Sequence, residues 1–305
     1  MAPIGQAVPA VATPDALARA RQRAALIPDL LVEARRVVNT VVAGWHGRRR
    51  RGIGENFWQF RPYVEGEARS RIDWRRSARD DHVYVRDREW EAAHTVWLWA
   101  DPSQSMLYQS ATATVSKQSR ALVLILAMAE LLSRSGERIA WPGLTDPFTA
   151  RNGAERLAGH IGHAADRPAH PDLSQIRRMS DVVIASDFLD PADETIAWLS
   201  PLADRGVRVH LIEIADPAEE NFPYAGRTEF RDPETGSRLT AGRAETVAGD
   251  YRRYYLARRE ELAAWCRRLA WSYTVNHTDR LASEALAHVH MMMTAEPGFH
   301  HGGRR

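Results

Sequence analysis

Residues 97–106 read WLWADPSQSM, an apolar run that breaks into an acid, a proline and two serines spaced two apart. With Thr95 and Val96 before it, the apolar part has the length of a strand and no charge up to Ala100. That pattern predicts a strand buried on both faces, as in a parallel sheet covered by helices. Open sheets of this kind hold their ligands at the carboxyl ends of the strands. The residues that matter for function therefore stand just after each apolar run, and Asp101, Ser103 and Ser105 are the first of them.

The remainder of the chain supplies the sheet. A helix is predicted over 116–135, closed by Gly136, then a weaker strand over 138–144 and a short helix over 153–163. A second apolar strand (DVVIAS, 181–186), a helix (193–204) and a third apolar strand (VRVHLIEI, 207–214) follow. Residues 216–245 read as an excursion whose DPETGSR is a hairpin turn. A helix over 251–269, a strand over 272–276 and a helix over 280–293 complete the pattern. Alternating strands and helices imply an α/β fold, with a mostly parallel sheet and helices on both faces.

Upstream, residues 1–12 read as a loose tail, and Thr13-Pro14 as a helix start with Thr13 as cap. Pro28 interrupts. A second helical face over 29–43 carries Leu31, Ala34, Val38 and Val41, and Gly44 ends it. From Gly44 the chain mixes arginines, acids and aromatics without a helical period, and alternations such as Val83-Tyr84-Val85-Arg86 suggest a β-ribbon. Four parts are expected: a tail and helical segment (1–43), a β-rich arginine/acid block (44–94), an α/β domain (95–293) and a disordered tail (294–305).

Composition narrows the function classes. The 305 residues carry a net charge of only +2, so the molecule as a whole is no polyanion binder. The Arg48–Arg51 run lies in a block that also holds many acids, and nucleic acid is not expected as a partner. Cys266 is the sole cysteine, which excludes an intramolecular disulfide and a multi-thiolate zinc site. Lys117 is the sole lysine, a bias read as GC-rich coding rather than chemistry. The first residues lack the charged-then-apolar order of a signal peptide, and no run reaches the ~20 apolar residues of a membrane span. A cytoplasmic protein is expected. No Gly-x-x-x-x-Gly-Lys phosphate loop or Gly-x-Ser-x-Gly elbow occurs. Ser103 stands where a haloacid-dehalogenase phosphatase needs its second aspartate, so no enzyme is expected.

Asp187, with Asp190 behind it, follows the second apolar strand as Asp101 follows the first. Two hydroxyls and two carboxylates at one sheet edge make a hard-oxygen set, of the kind that takes Mg²⁺ or Mn²⁺. The spacing by two lets Asp101, Ser103 and Ser105 aim alike. The plain alternative is a capping turn.

Asp-x-Ser-x-Ser after a buried strand, with Asp187 after a later one, resembles the metal-ion-dependent adhesion site (MIDAS) of von Willebrand factor A domains. The resemblance implies a von Willebrand factor A-like fold over 95–293, and a bound Mg²⁺ whose open position a partner's carboxylate fills. Its usual loop threonine has no match here, since neither Thr145 nor Thr149 stands in the motif.

The upstream block is similar to the bacterial domain-of-unknown-function 58 (DUF58) family. The similarity rests on Gly54, Glu55, Phe57, Arg61, Tyr63, Gly66, Glu67, Arg71, Ile72, Asp73, Trp74, Ala78 and Arg79. It implies a MoxR-type AAA+ ATPase as partner in chaperone-like assembly or activation of protein complexes. Many relatives carry membrane helices before this block, and this chain shows none. Arg61, Tyr63, Arg71, Asp73, Trp74 and Arg79 are then a structural network or the partner's docking face. The expected function is a non-catalytic, ion-assisted binding module acting with such an ATPase and a client protein. A metal-dependent hydrolase and a metal-independent scaffold are the alternatives.

Overall fold

The computed structural model describes residues 14–46, 59–64, 72, 74–79, 82–87, 94–164, 168 and 170–294. The chain divides into two compact units, one of residues 1–47 and 95–305, the other of residues 48–94.

In the smaller unit, β1 (Gln59–Pro62) and β2 (Tyr84–Asp87) form an antiparallel ribbon, with Arg61 opposite Val85. Tyr63 N donates to Val83 O (2.7 Å), which extends the ladder past Pro62. The short helix α2 (Trp74–Ser77) lies between the strands in sequence, and Ser77 Oγ accepts from Tyr84 N at 2.9 Å. The expected ribbon is present in the described residues, with a helical turn that the sequence did not signal.

The larger unit is a mixed α/β structure. Its helix α1 (Pro14–His46) runs unbroken through Pro28 and past Gly44. The predicted interruption is thus corrected, while the Thr13 cap lies outside the described residues. Proline removes one helical hydrogen bond and crowds the preceding turn. Ile27, Leu30, Ala34, Val38 and Val41, all buried on one face, outweigh that local cost by tertiary packing.

The sheet has six strands in the order β10-β7-β6-β3-β4-β5: β3 (Thr95–Ala100), β4 (Arg138–Trp141), β5 (Thr145–Phe148), β6 (Ser180–Ser186), β7 (Arg208–Ala215) and β10 (Ser272–His277). All neighbours are parallel except β4 and β5. Strand β5, absent from the sequence reading, carries Pro147 and lies at the edge of the sheet. At the sheet's edge a missing N–H costs no ladder bond. Helices α3 (Lys117–Arg134), α4 (Gly153–His163) and α8 (Ala282–Thr294) form one group with α1 packed on all of them. Helices α5 (Ala192–Asp204), α6 (Pro217–Asn221) and α7 (Ala248–Arg268) form a second. Between α6 and α7 the hairpin β8 (Thr228–Arg231)–β9 (Arg238–Ala241) turns through residues 232–237, where DPETGS was expected to turn. Of residues 294–305, read as a disordered tail, Thr294 ends α8 and 295–305 lie outside the described residues.

Register places the site. Ala100 pairs with Ala185, and Ser186 with Glu213 on β7. The next residues out of each strand, Asp101, Asp187 and Asp216, therefore leave the sheet along one carboxyl edge.

Candidate functional site at the carboxyl edge of the sheet

Asp101 prolongs the ladder by one residue, its N–H donating to Ala185 O at 2.9 Å. Both its carboxyl oxygens are engaged nearby: Oδ2 accepts from Ser186 Oγ (2.6 Å) and Oδ1 from Ser103 N (2.8 Å). Burial pushes the Asp101 carboxyl above the usual carboxylate range, and the charge of Asp187 adds to that. The hydrogen bond from Ser186, the largest opposing effect, does not cancel it.

Ser105 opens one turn of 3-10 helix (Ser105–Leu107), pinned by the buried Met106. Its hydroxyl donates to Asp187 Oδ2 at 2.7 Å and lies 3.1 Å from Ser103 Oγ. The structure thus brings Asp101, Ser103, Ser105 and Asp187 into one hydrogen-bonded cluster, as the spacing suggested. Asp187 is followed by Phe188 at φ +47°, left-handed backbone rare for an aromatic residue. Arg258, from α7, holds that bend by donating to Asp187 O (3.4 Å) and to Phe188 O.

Two functional residues escaped the sequence. Lys117, first residue of α3, is wholly buried, and its ammonium donates to Asp187 Oδ2 at 2.8 Å and to Glu219 Oε1. Burial works to lower its pKa, but the two carboxylates reverse this and hold it above the usual ammonium value. Glu219 lies in the first turn of α6, where Asp216 caps the helix and Glu219 Oε2 accepts from Asp216 N at 3.2 Å. Burial raises the Glu219 carboxyl as well, against the pull of Lys117. The second is Glu234, on the β8–β9 turn, whose Oε1 accepts from Ser105 N at 2.8 Å across 129 residues of sequence. Asp232 Oδ1 braces the turn by accepting from Glu234 N (2.9 Å), and Gly236 supplies its φ of +74°. A signal for Lys117 was available, because a lone lysine in a chain that otherwise uses arginine marks a place where a guanidinium does not serve. Nothing local marks Glu234.

Whether these oxygens fit a divalent ion is a question of geometry and charge. Ligands about 2.0–2.1 Å from Mg²⁺ on adjacent octahedral positions lie about 2.9 Å apart. The 3.1 Å and 2.7 Å separations along Ser103, Ser105 and Asp187 resemble that spacing. The charge does not fit. Asp187 Oδ2 already accepts from the Lys117 ammonium at 2.8 Å, so an ion ligated by it would lie within about 5 Å of a buried cation. Their repulsion is on the order of 6 kcal/mol at an effective dielectric of 20. Among the described residues, no group of three or more His, Cys, Asp and Glu side chains is placed to hold a metal. Thr145 Oγ1, one of the two threonines near the missing motif position, accepts from Trp141 N at 2.9 Å.

The upstream motif residues fall in the smaller unit. Trp74 is 64% exposed, Arg79 is exposed and Tyr63 half-buried. Arg61 is described only as a backbone member of β1, and Arg71 and Asp73 lie outside the described residues. Asp190, exposed, lies 3.7 Å from His170 and takes no part in the cluster.

Residues 59–261 match the profile of the protein family of unknown function DUF58. Uncharacterized proteins of Mycobacterium bovis and Mycobacterium tuberculosis are each 28% identical over 299 residues, covering 89% of this chain and 91% of theirs. Among solved structures, the conserved hypothetical protein BatB of Bacteroides thetaiotaomicron is similar at 13% identity and a TM-score of 0.39, over 67% of this chain and all of that one. An aerotolerance-related membrane protein of Bacteroides fragilis overlaps at 13% identity and a TM-score of 0.35, over 66% of this chain and 98% of that one. Both overlaps are too loose to fix a fold. No helix of the described residues is long and apolar enough to cross a membrane.

Proposed function

The chain belongs to the DUF58 family, and on that premise we propose a non-catalytic docking module that works with a MoxR-type AAA+ ATPase and a client protein. In this reading residues 95–293 are a von Willebrand factor A-like domain, and the carboxyl edge of the sheet takes an acidic side chain from the partner. The observation that carries the reading is Glu234. A carboxylate already sits on the Ser105 N–H, beside two serine hydroxyls, where a partner's Asp or Glu would dock. The contact is exposed, so an incoming acid can displace it at little cost.

The chemistry of the cluster supports binding over turnover. Lys117, held above the usual ammonium range, keeps its proton at neutral pH and serves neither as base nor as nucleophile. The Ser105 hydroxyl donates to Asp187 Oδ2, an oxygen that the Lys117 ammonium also holds and so makes a poor base. Trp74 and Arg79, exposed in the smaller unit, are candidate second contacts for the ATPase.

The test is affinity for a MoxR-type AAA+ ATPase of the same organism, measured on a biosensor surface with and without chelator. A Ser103→Ala/Ser105→Ala double variant is expected to bind about tenfold more weakly, one lost polar contact being worth about that much, with its circular dichroism unchanged. Equal binding by the variant would leave a scaffold. Ester or phosphate turnover that the double variant abolishes would make the site a hydrolase.

A further inference from the structure

We propose that the ammonium of Lys117 occupies the cation position of the strand-end site, keeps divalent ions out, and that its removal turns the same oxygens into a Mg²⁺ or Mn²⁺ site. The inference goes beyond the docking reading and holds whatever docks there.

Four observations carry it. Lys117 sits at the start of α3, directly after the Ser116 cap, with no acid in that first turn. A helix N-terminus carries partial positive charge and favours anions, so a lysine there works against its own helix. Such a breach of a local rule calls for a compensating gain elsewhere. The gain is visible: the wholly buried ammonium is held by carboxylate oxygens of Asp187 and Glu219, with the Tyr108 ring centroid 5.8 Å away. A buried ammonium is tolerated only when paired in this way.

Next, Asp187 Oδ2 accepts from both Ser105 Oγ (2.7 Å) and Lys117 Nζ (2.8 Å). The Ser105 hydroxyl is oriented by the same oxygen that binds the ammonium. One cation thus organises the cluster. Third, the hydroxyl and carboxylate oxygens stand 2.7–3.1 Å apart, near the edge of an octahedron about the size that Mg²⁺ requires. These three oxygens have the spacing of neighbouring ligands, and the ammonium lies 2.8 Å from one of them.

Last, Lys117 is the only lysine in a chain rich in arginine. A guanidinium is planar and larger, whereas an ammonium is a compact point charge with three donors, the closest side-chain substitute for a small cation.

The experiment compares thermal midpoints of wild type, Lys117→Met and Lys117→Met/Glu219→Gln in EDTA and in millimolar Mn²⁺, with Mn²⁺ binding followed by electron paramagnetic resonance. Methionine keeps the stem's volume, and the second change removes the acid left unpaired. The expected result is no midpoint change for wild type and a Mn²⁺-dependent rise of roughly 5 °C for a variant, the scale of a native-state ligand near a hundred times its dissociation constant. The Mn²⁺ signal should broaden only in the variants. Refolding of an otherwise unfolded variant on Mn²⁺ addition has the same meaning. Mn²⁺ binding and stabilisation in wild type would overturn the inference, since the ion would then sit beside the lysine. So would variants that gain neither midpoint nor bound Mn²⁺, or that stay unfolded with it. None of these readouts involves the ATPase, so the docking reading stands or falls separately.

Discussion

Asp101 shows how one side chain can look like a ligand and act as a brace. Its two oxygens accept from Ser186 Oγ and Ser103 N, tying the end of β3 to the end of β6 and to its own loop. Asp101→Ala takes the acceptor from the buried Ser186 hydroxyl and from the part-buried Ser103 N–H. A loss of about 1–3 kcal/mol in denaturant unfolding is expected, with a smaller loss for Asp101→Asn. The pH dependence has a definite sign. The folded-state pKa of Asp101 is raised, so the folded state binds this proton more tightly than the unfolded state. Its stabilising contribution is full below the ordinary value of 3.8 and is lost as pH rises through the higher folded value. Wild type should therefore lose midpoint relative to Asp101→Asn as pH rises across that window, and parallel curves would contradict it. Asp101, Ser103, Ser105 and Asp187 were legible in the sequence because each follows an apolar strand. Lys117 stood out only as the lone lysine, and its place at the site was not legible, because its partner Glu219 lies 102 residues away and only the fold joins them.

At the scale of elements, spacing and punctuation sufficed wherever local preference and tertiary packing agree. Strand 95–100 and helix 153–163 lie where the sequence puts them. They diverge at Pro28, inside α1, and at Pro147, inside β5, where packing and an edge position override what proline signals locally. Gly153 belongs to the same argument. It opens α4, and a Cβ there would meet Ser133 Oγ of α3 at 2.1 Å and Ile139 Cδ1 at 3.0 Å. Gly153→Ala should cost about 1–3 kcal/mol in equilibrium unfolding through overpacking of the α3–α4 contact. A neutral result would mean that the buried Ser133 side chain turns away freely.

Across the whole molecule, parallel register brings Asp101, Asp187 and Asp216 out on one edge, and long-range connections bring Lys117 and Glu234 to it. The edge was predictable from the α/β alternation. Its two occupants, an ammonium and a carboxylate from distant elements, were not, since no spacing rule links a helix start or a hairpin turn to a strand end. The central claim is that Glu234 holds the place of a partner's acid. The most direct test is the affinity of full-length Glu234→Ala for the MoxR-type AAA+ ATPase, set against wild type in the same buffer. Freed of its internal competitor, the variant should bind several-fold more tightly, by up to about fivefold for one exposed charged contact. Unchanged or weaker binding would contradict the account and make Glu234 no more than a brace for its hairpin.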